Sequence, residues 1–139
     1  MENQKIQFSH STPVQVRFND IDIMGHVNNA IHQYYFDYAK MKYFDHMLGT
    51  EIDWKKTGIV LANIVIDYFV PIFLEEEIEV LTKINKIGNK SFEIKQKIVN
   101  SLTSEIKSES TSTMVCFNYY LRESIAIPQD WKDRFEKFS

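Results

Sequence analysis

Cysteine is almost missing from this chain. The single one, Cys116, has no second thiol to pair with, so an internal disulfide is excluded and a reducing compartment is favoured. No His/Cys cluster has zinc-ligand spacing, and His10, His32 and His46 are scattered in a way that reads as surface or interface. A Gly-x-Ser-x-Gly elbow is absent, which disfavours a serine hydrolase. Met1-Glu2-Asn3-Gln4-Lys5 leads into no apolar segment of signal-peptide type. The longest apolar stretch, near Ile59 to Phe73, is interrupted by Asn63, Asp67 and Pro71 and is too short and polar to span a membrane. There is no basic excess either. The formal charge is −3, against the bias of a general nucleic-acid binder, although a local basic patch for a phosphate-bearing ligand stays open. These absences lead us to expect a soluble, cytoplasmic protein with neither nucleic acid nor membrane as partner.

What is present suffices for a core. The chain has 139 residues, 44% hydrophobic and 14% aromatic, which fits one domain over 1–139 without metal or disulfide. Thr12–Phe18 alternates Val14, Val16 and Phe18 with Gln15 and Arg17 and predicts a strand. Asn19–Val27 reads as a loop. Asn28 to about Leu48 predicts one helix whose only polar stripe is Gln33, Asp37 and Lys40, so it should be surrounded on most sides. Gly49 stops it. Strands follow at Gly58–Val70, Ile78–Ile84, Ser91–Val99 and Glu105–Leu121, with a turn at Ile87-Gly88-Asn89-Lys90 and another at Asn100–Ser104. After Pro128, Trp131, Phe135 and Phe138 recur at the spacing of a short amphipathic helix. No repeat, linker or low-complexity tract appears. The simplest architecture is α+β, an antiparallel sheet wrapped around one apolar helix.

Chemistry concentrates in Val16-Arg17-Phe18-Asn19-Asp20-Ile21-Asp22-Ile23-Met24-Gly25-His26-Val27-Asn28-Asn29-Ala30. A β-type run ends in an acidic turn, a glycine closes it, and two asparagines stand at a helix start. An acid is thus set beside the unpaired N–H groups of a first helical turn. Position alone favours a capping or turn role for Asp22 over a catalytic one. Asp20 reads as a turn-stabilising residue. The pair Asp20-Ile21-Asp22 lacks a neighbouring phosphate loop, so no metal is expected there.

Phe18–Asn29 resembles the opening motif of the 4-hydroxybenzoyl-CoA thioesterase-like family of acyl-CoA thioesterases, which have the hotdog fold. Ile66-Asp67-Tyr68-Phe69-Val70-Pro71 with Ile78-Glu79-Val80 is similar to that family's strand, Tyr, Pro and next strand. Ile87-Gly88-Asn89-Lys90-Ser91-Phe92 is similar to its hairpin. Two departures stand out: Leu74-Glu75-Glu76-Glu77 replaces a common Gly-Asp turn, and Lys40 stands where Arg is common.

The resemblance implies hydrolysis of acyl-CoA to a free acid and coenzyme A, with no separate cofactor. It makes Asp22 the catalytic carboxylate, by direct attack or as general base for a water. The N–H near Asn29 would bind the oxyanion, and Gly25 would let the loop pass close to the acyl group. His26 would either position the carbonyl or Asp22, or simply orient the loop. Lys90 and Ser91 would meet the phosphates of coenzyme A. The alternative is that Lys83, Lys86, Lys90, Lys95 and Lys97 decorate a sheet edge against aggregation. Cys116 reads as a packing residue. Open sheet edges and the habit of hotdog proteins imply a homodimer or homotetramer. An acyl-carrier-protein thioesterase and a non-catalytic acyl-CoA-binding module are the competing functions.

Overall fold

The computed structural model describes residues 8–138. The leading Met1–Lys5, expected to hold no signal peptide, lies outside them. Six strands form one antiparallel sheet: β1 (His10–Val14), β2 (Gly58–Tyr68), β3 (Ile78–Ile87), β4 (Ser91–Asn100), β5 (Ile106–Asn118) and β6 (Glu123–Ser124). Their order is β1-β3-β4-β5-β2, with β6 added to β5. Helix α1 (Asn29–Leu48) lies across one face, and α2 (Gln129–Phe138) packs beside its C-terminal half. This is the expected hotdog arrangement.

Helix α1 ends where the sequence puts its stop. Gly49 takes φ +82° and its N–H donates to the Asp45 carbonyl at 3.0 Å. The helix divides the core in two. Tyr35, Phe36 and Ala39 pack with Val16, Val27, Ile72, Ile78, Val80 and Ile98. Tyr43, Phe44 and Met47 pack with Phe92, Ile94, Met114, Cys116, Trp131 and Phe135. The strand residues of both groups, Ile78 and Val80, Phe92, Ile94 and Ile98, and Met114 and Cys116, are alternate positions that bury one face of the sheet.

A polar seam runs between helix and sheet. Gln96 Nε2 donates to the Phe36 carbonyl at 2.9 Å, and Ser108, Ser110 and Ser112 are buried in line along β5. The fully buried Cys116 continues the same face of β5 and is a packing residue, as expected; burial pushes its thiol up to about 11.

Three expectations need correction. The first strand ends at Val14, and Phe18–Asp20 is a 3-10 turn, because Asp20 accepts the Arg17 N–H at 2.9 Å and folds the chain back. Lys40 does not sit on an open polar stripe. It is buried beside Asp37 at 3.4 Å, and burial pulls its amine below the usual lysine value although Asp37 opposes this. The lysine-rich hairpin does not decorate an edge, since β3 and β4 are interior strands. Lys83 and Lys95 instead face each other across them, opposite α1.

The two real edges differ. β1 carries Pro13, which blunts it. β2 offers Leu61, Val65 and Tyr68, all well exposed, and α1 exposes Tyr34, Tyr38 and Met41. The helix is therefore open on one side in a single chain. No helix among the described residues is long and apolar enough to cross a membrane.

Candidate active site

The turn before α1 is fixed by backbone bonds. Ile21 and Val27 bridge, the Asp22 N–H donates to the His26 carbonyl at 3.0 Å, and the Gly25 N–H donates to the Asp22 carbonyl at 3.0 Å. Gly25 takes φ +86°, a conformation costly for any side chain, which lets so short a loop close. Two further bonds anchor the turn: Val27 N–H to the Ile72 carbonyl at 2.8 Å, and Asn28 N–H to the Asp20 carbonyl at 2.9 Å. Asp20 is the turn-holder expected of it. Its Oδ2 accepts the Tyr35 hydroxyl at 2.5 Å as well as the Arg17 N–H. Burial, then this bond, pushes the Tyr35 phenol above its ordinary value.

Asp22 is half-buried on this turn. Its Oδ1 accepts the Met24 N–H at 2.9 Å, an Asx-type contact that sets the carboxylate's direction. Its Oδ2 has no hydrogen-bond partner among the described residues. Asp22 thus holds the turn with one oxygen and leaves the other unpaired among the described residues.

The helix start is next to it. Asn28 caps α1, its Oδ1 accepting the Ala30 N–H at 2.9 Å. The Asn29 N–H has no acceptor among the described residues, while the Tyr68 hydroxyl donates to the Asn29 carbonyl at 3.0 Å. A small cleft of about 180 Å³ opens here, lined by His26, Asn29, His32, Tyr68, Phe69, Val70 and Pro71. Asp22 is not among the lining residues. It lies across the turn from His26, whose carbonyl it binds. His26 Nδ1 contacts the Val27 carbonyl at 3.2 Å and the ring meets Phe73 edge-on at 6.5 Å.

The structure therefore brings Asp22, Gly25, His26 and Asn29 together. It does not bring Lys90 and Ser91 to them within one chain. Those two sit at the β3–β4 turn, where the Gly88 N–H donates to the Ser91 carbonyl at 2.8 Å. The Asp22 turn borders the opposite end of β3, so the length of that strand, about 30 Å, separates them.

Three residues of this region, His32, Ser108 and Lys107, escaped the sequence. His32 is buried, its Nδ1 lies 2.8 Å from Ser108 Oγ, and its ring meets that of Tyr68 edge-on at 5.0 Å. Burial, with a smaller contribution from nearby His26, lowers its pKa to about 4. It is a neutral imidazole near pH 7, not a surface histidine. No pattern near His32 signals this, because Ser108 lies 76 residues away.

The loop that forms the far wall of the cleft is clasped by Lys107. Its Nζ donates to Glu76 at 2.6 Å, to Glu105 at 2.7 Å and to the Pro71 carbonyl at 3.2 Å. Among the described residues, no three of His, Cys, Asp and Glu gather in a way that could hold a metal ion.

Residues 16–135 match the thioesterase-like superfamily, a match that spans the acidic turn, helix α1 and strands β2 to β6. The chain belongs to that family. The expected enzyme class, a thioester hydrolase, agrees with this membership. Among curated proteins, it is 32% identical to YsmA of Bacillus subtilis over 87 residues, 63% of this chain and 58% of that protein. It thus spans little more than half of YsmA. It is 21% identical to the long-chain acyl-CoA thioesterase FadM of Escherichia coli over 129 residues, 91% of this chain and 96% of FadM. Among solved structures, a Thermus thermophilus thioesterase complexed with coenzyme A and Zn superposes with TM-score 0.83 at 25% identity, covering 94% of each chain.

Proposed function

We propose that this chain is an acyl-CoA thioesterase that releases a free acid and coenzyme A, with Asp22 as the reacting carboxylate. The observation that carries the reading is the join of two unpaired groups. Asp22 Oδ2 and the Asn29 N–H stand on one bonded turn, seven residues apart, next to a cleft. A thioester carbonyl gathers negative charge on oxygen as it is attacked. The Asn29 N–H at the start of α1 offers it a fixed donor, of a kind commonly worth about 3 kcal/mol.

In the direct route, the Asp22 carboxylate bonds to the carbonyl carbon, and the C–S bond breaks. The sulfur leaves as thiolate, and water then hydrolyses the mixed anhydride. In the base route, Asp22 takes a proton from water, the hydroxyl adds to the same carbon, the C–S bond breaks, and the leaving thiolate takes the proton back from Asp22. In a single turnover in ¹⁸O-labelled water, label in Asp22 with unlabelled acid requires direct attack followed by hydrolysis at the Asp22 carbon, whereas the base route labels the acid alone. No metal or other cofactor enters either route.

The working unit is a homodimer or larger, each chain contributing a single hotdog domain. Antiparallel pairing of two β2 edges would lay the partner's hairpin end beside the Asp22 end of this chain. That would supply the partner subunit's Lys90 and Ser91 to the phosphates of coenzyme A, which a single chain cannot do. Here Lys would act as a point charge. The narrower kinship with 4-hydroxybenzoyl-CoA thioesterases, and a place in the cytoplasm beside a reduced Cys116, belong to the same reading.

Thiol release tests it. Short, long and aromatic acyl-CoA thioesters are compared, with the same acyl groups on carrier protein. Turnover of at least one CoA thioester, ahead of its carrier-linked form, is expected. Tight coenzyme A binding without release from any thioester would make the chain a non-catalytic binder instead.

A further inference from the structure

We propose that His32 is a second carbonyl-binding donor of this site, a neutral imidazole whose Nε2–H enters the cleft beside the Asn29 N–H. This rests on the thioesterase reading above and adds a residue to it. Asn29 and His32 are three residues apart on α1, so both lie on one helical face, and both line the same cleft.

The proton's position follows from satisfying Ser108. That residue is wholly buried, and its hydroxyl has one side-chain partner among the described residues, His32 Nδ1 at 2.8 Å. The next serine on this face, Ser110, is buried with its Oγ unpartnered, so it does not take the Ser108 proton. A buried hydroxyl without an acceptor for its hydrogen is costly. Ser108 therefore donates, and Nδ1 accepts. A neutral imidazole has one N–H, so the hydrogen sits on Nε2. Nε2 has no partner among the described residues.

Tyr68 keeps the pair in place. Its ring abuts His32 edge-on, and its hydroxyl holds the Asn29 carbonyl, so one residue of β2 braces both donors. A neutral donor suits the task. It stabilises a developing oxyanion without bringing a full charge that would pair with Asp22 in the resting site.

Two measurements test this. In the first, ¹⁵N-histidine spectra of the whole protein are recorded between pH 5.5 and 8. His32 should appear as the neutral Nε2–H tautomer throughout, and Ser108→Ala should mix the tautomers. An Nδ1–H tautomer or a charged ring in the wild type overturns the inference. In the second, kcat and KM are measured for the best acyl-CoA. His32→Phe keeps the ring shape without the donor and should lower kcat roughly 100-fold with KM changed less than about threefold.

His32→Gln, which returns an amide N–H near the Nε2 position, should recover most of that loss. If His32→Phe fails to fold, the Gln and Ser108→Ala variants carry the test through their kcat. Wild-type kcat in a folded His32→Phe protein, with Asp22→Asn inactive, overturns this inference and leaves the functional reading standing. A wild-type protein that releases no thiol overturns both.

Discussion

Replacing Lys107 by Met should loosen the wall of the cleft before it touches any reacting group. The Lys107 side chain is 1% exposed, and its ammonium binds Glu76, Glu105 and the Pro71 carbonyl, tying the loop after β2 to β5. Removing one partner of a fully buried ion pair costs about 3–5 kcal/mol. Here the abandoned carboxylates retain water, Glu76 being 20% and Glu105 50% exposed. The expected loss therefore falls to about 1.5–3 kcal/mol, the range of a hydrogen bond to a charged group.

For a chain of this length, that lowers Tm by about 3–12 °C. The pH dependence gives a second readout. Burial raises the Glu76 carboxyl, but bonds from Lys107, the Phe73 N–H and Asn100 outweigh it and hold it below its ordinary 4.5. A group depressed in the folded state adds stability above its unfolded pKa and loses it as pH falls through the folded value. Wild-type Tm should thus drop as pH falls below about 4.5. The Lys107→Met variant should show a shallower drop. Differential scanning calorimetry at pH 3 to 7 measures both. Equal Tm and equal acid profiles in the two proteins would refute the clasp.

Two other outcomes bear on assembly and substrate. Val65 is 55% exposed on β2, and Val65→Lys places a charge at the edge where a second copy would pair. Light scattering should then report monomer, and acyl-CoA turnover should fall with it; a variant that stays oligomeric and active contradicts the pairing through β2. Lys90→Ala should raise KM for CoA thioesters several-fold, and more at low ionic strength, while leaving acyl-pantetheine thioesters unaffected. An equal effect on both substrates would remove Lys90 from phosphate recognition.

Much of this fold was legible because it is local. The aromatic run of α1, the Asn28 cap, the Gly49 stop and the Trp131–Phe135 spacing each state a helix in a short stretch. The alternation of Phe92, Ile94, Gln96 and Ile98 states a strand with one buried face. What the sequence hid is set by distant partners. Asp20 folds Phe18–Asp20 out of the strand by accepting the Arg17 N–H, and its carboxylate is held there by Tyr35, 15 residues on. Lys83 and Lys95 miss the edge because strand order is decided by long-range pairing. His32 and Lys40 look polar and external on the helix, and only the sheet beneath them buries both. The acidic turn was legible as a motif, whereas the separation of Lys90 and Ser91 from it needed the topology.

The most direct measurement is thiol release by Asp22→Asn. The amide keeps an oxygen for the Met24 N–H, so the turn should persist, while the carboxylate's basicity and nucleophilicity are gone. Turnover of the preferred acyl-CoA should fall roughly 10²–10⁴-fold, with Tm and coenzyme A binding close to wild type. A folded Asp22→Asn protein that hydrolyses acyl-CoA at the wild-type rate would contradict the account.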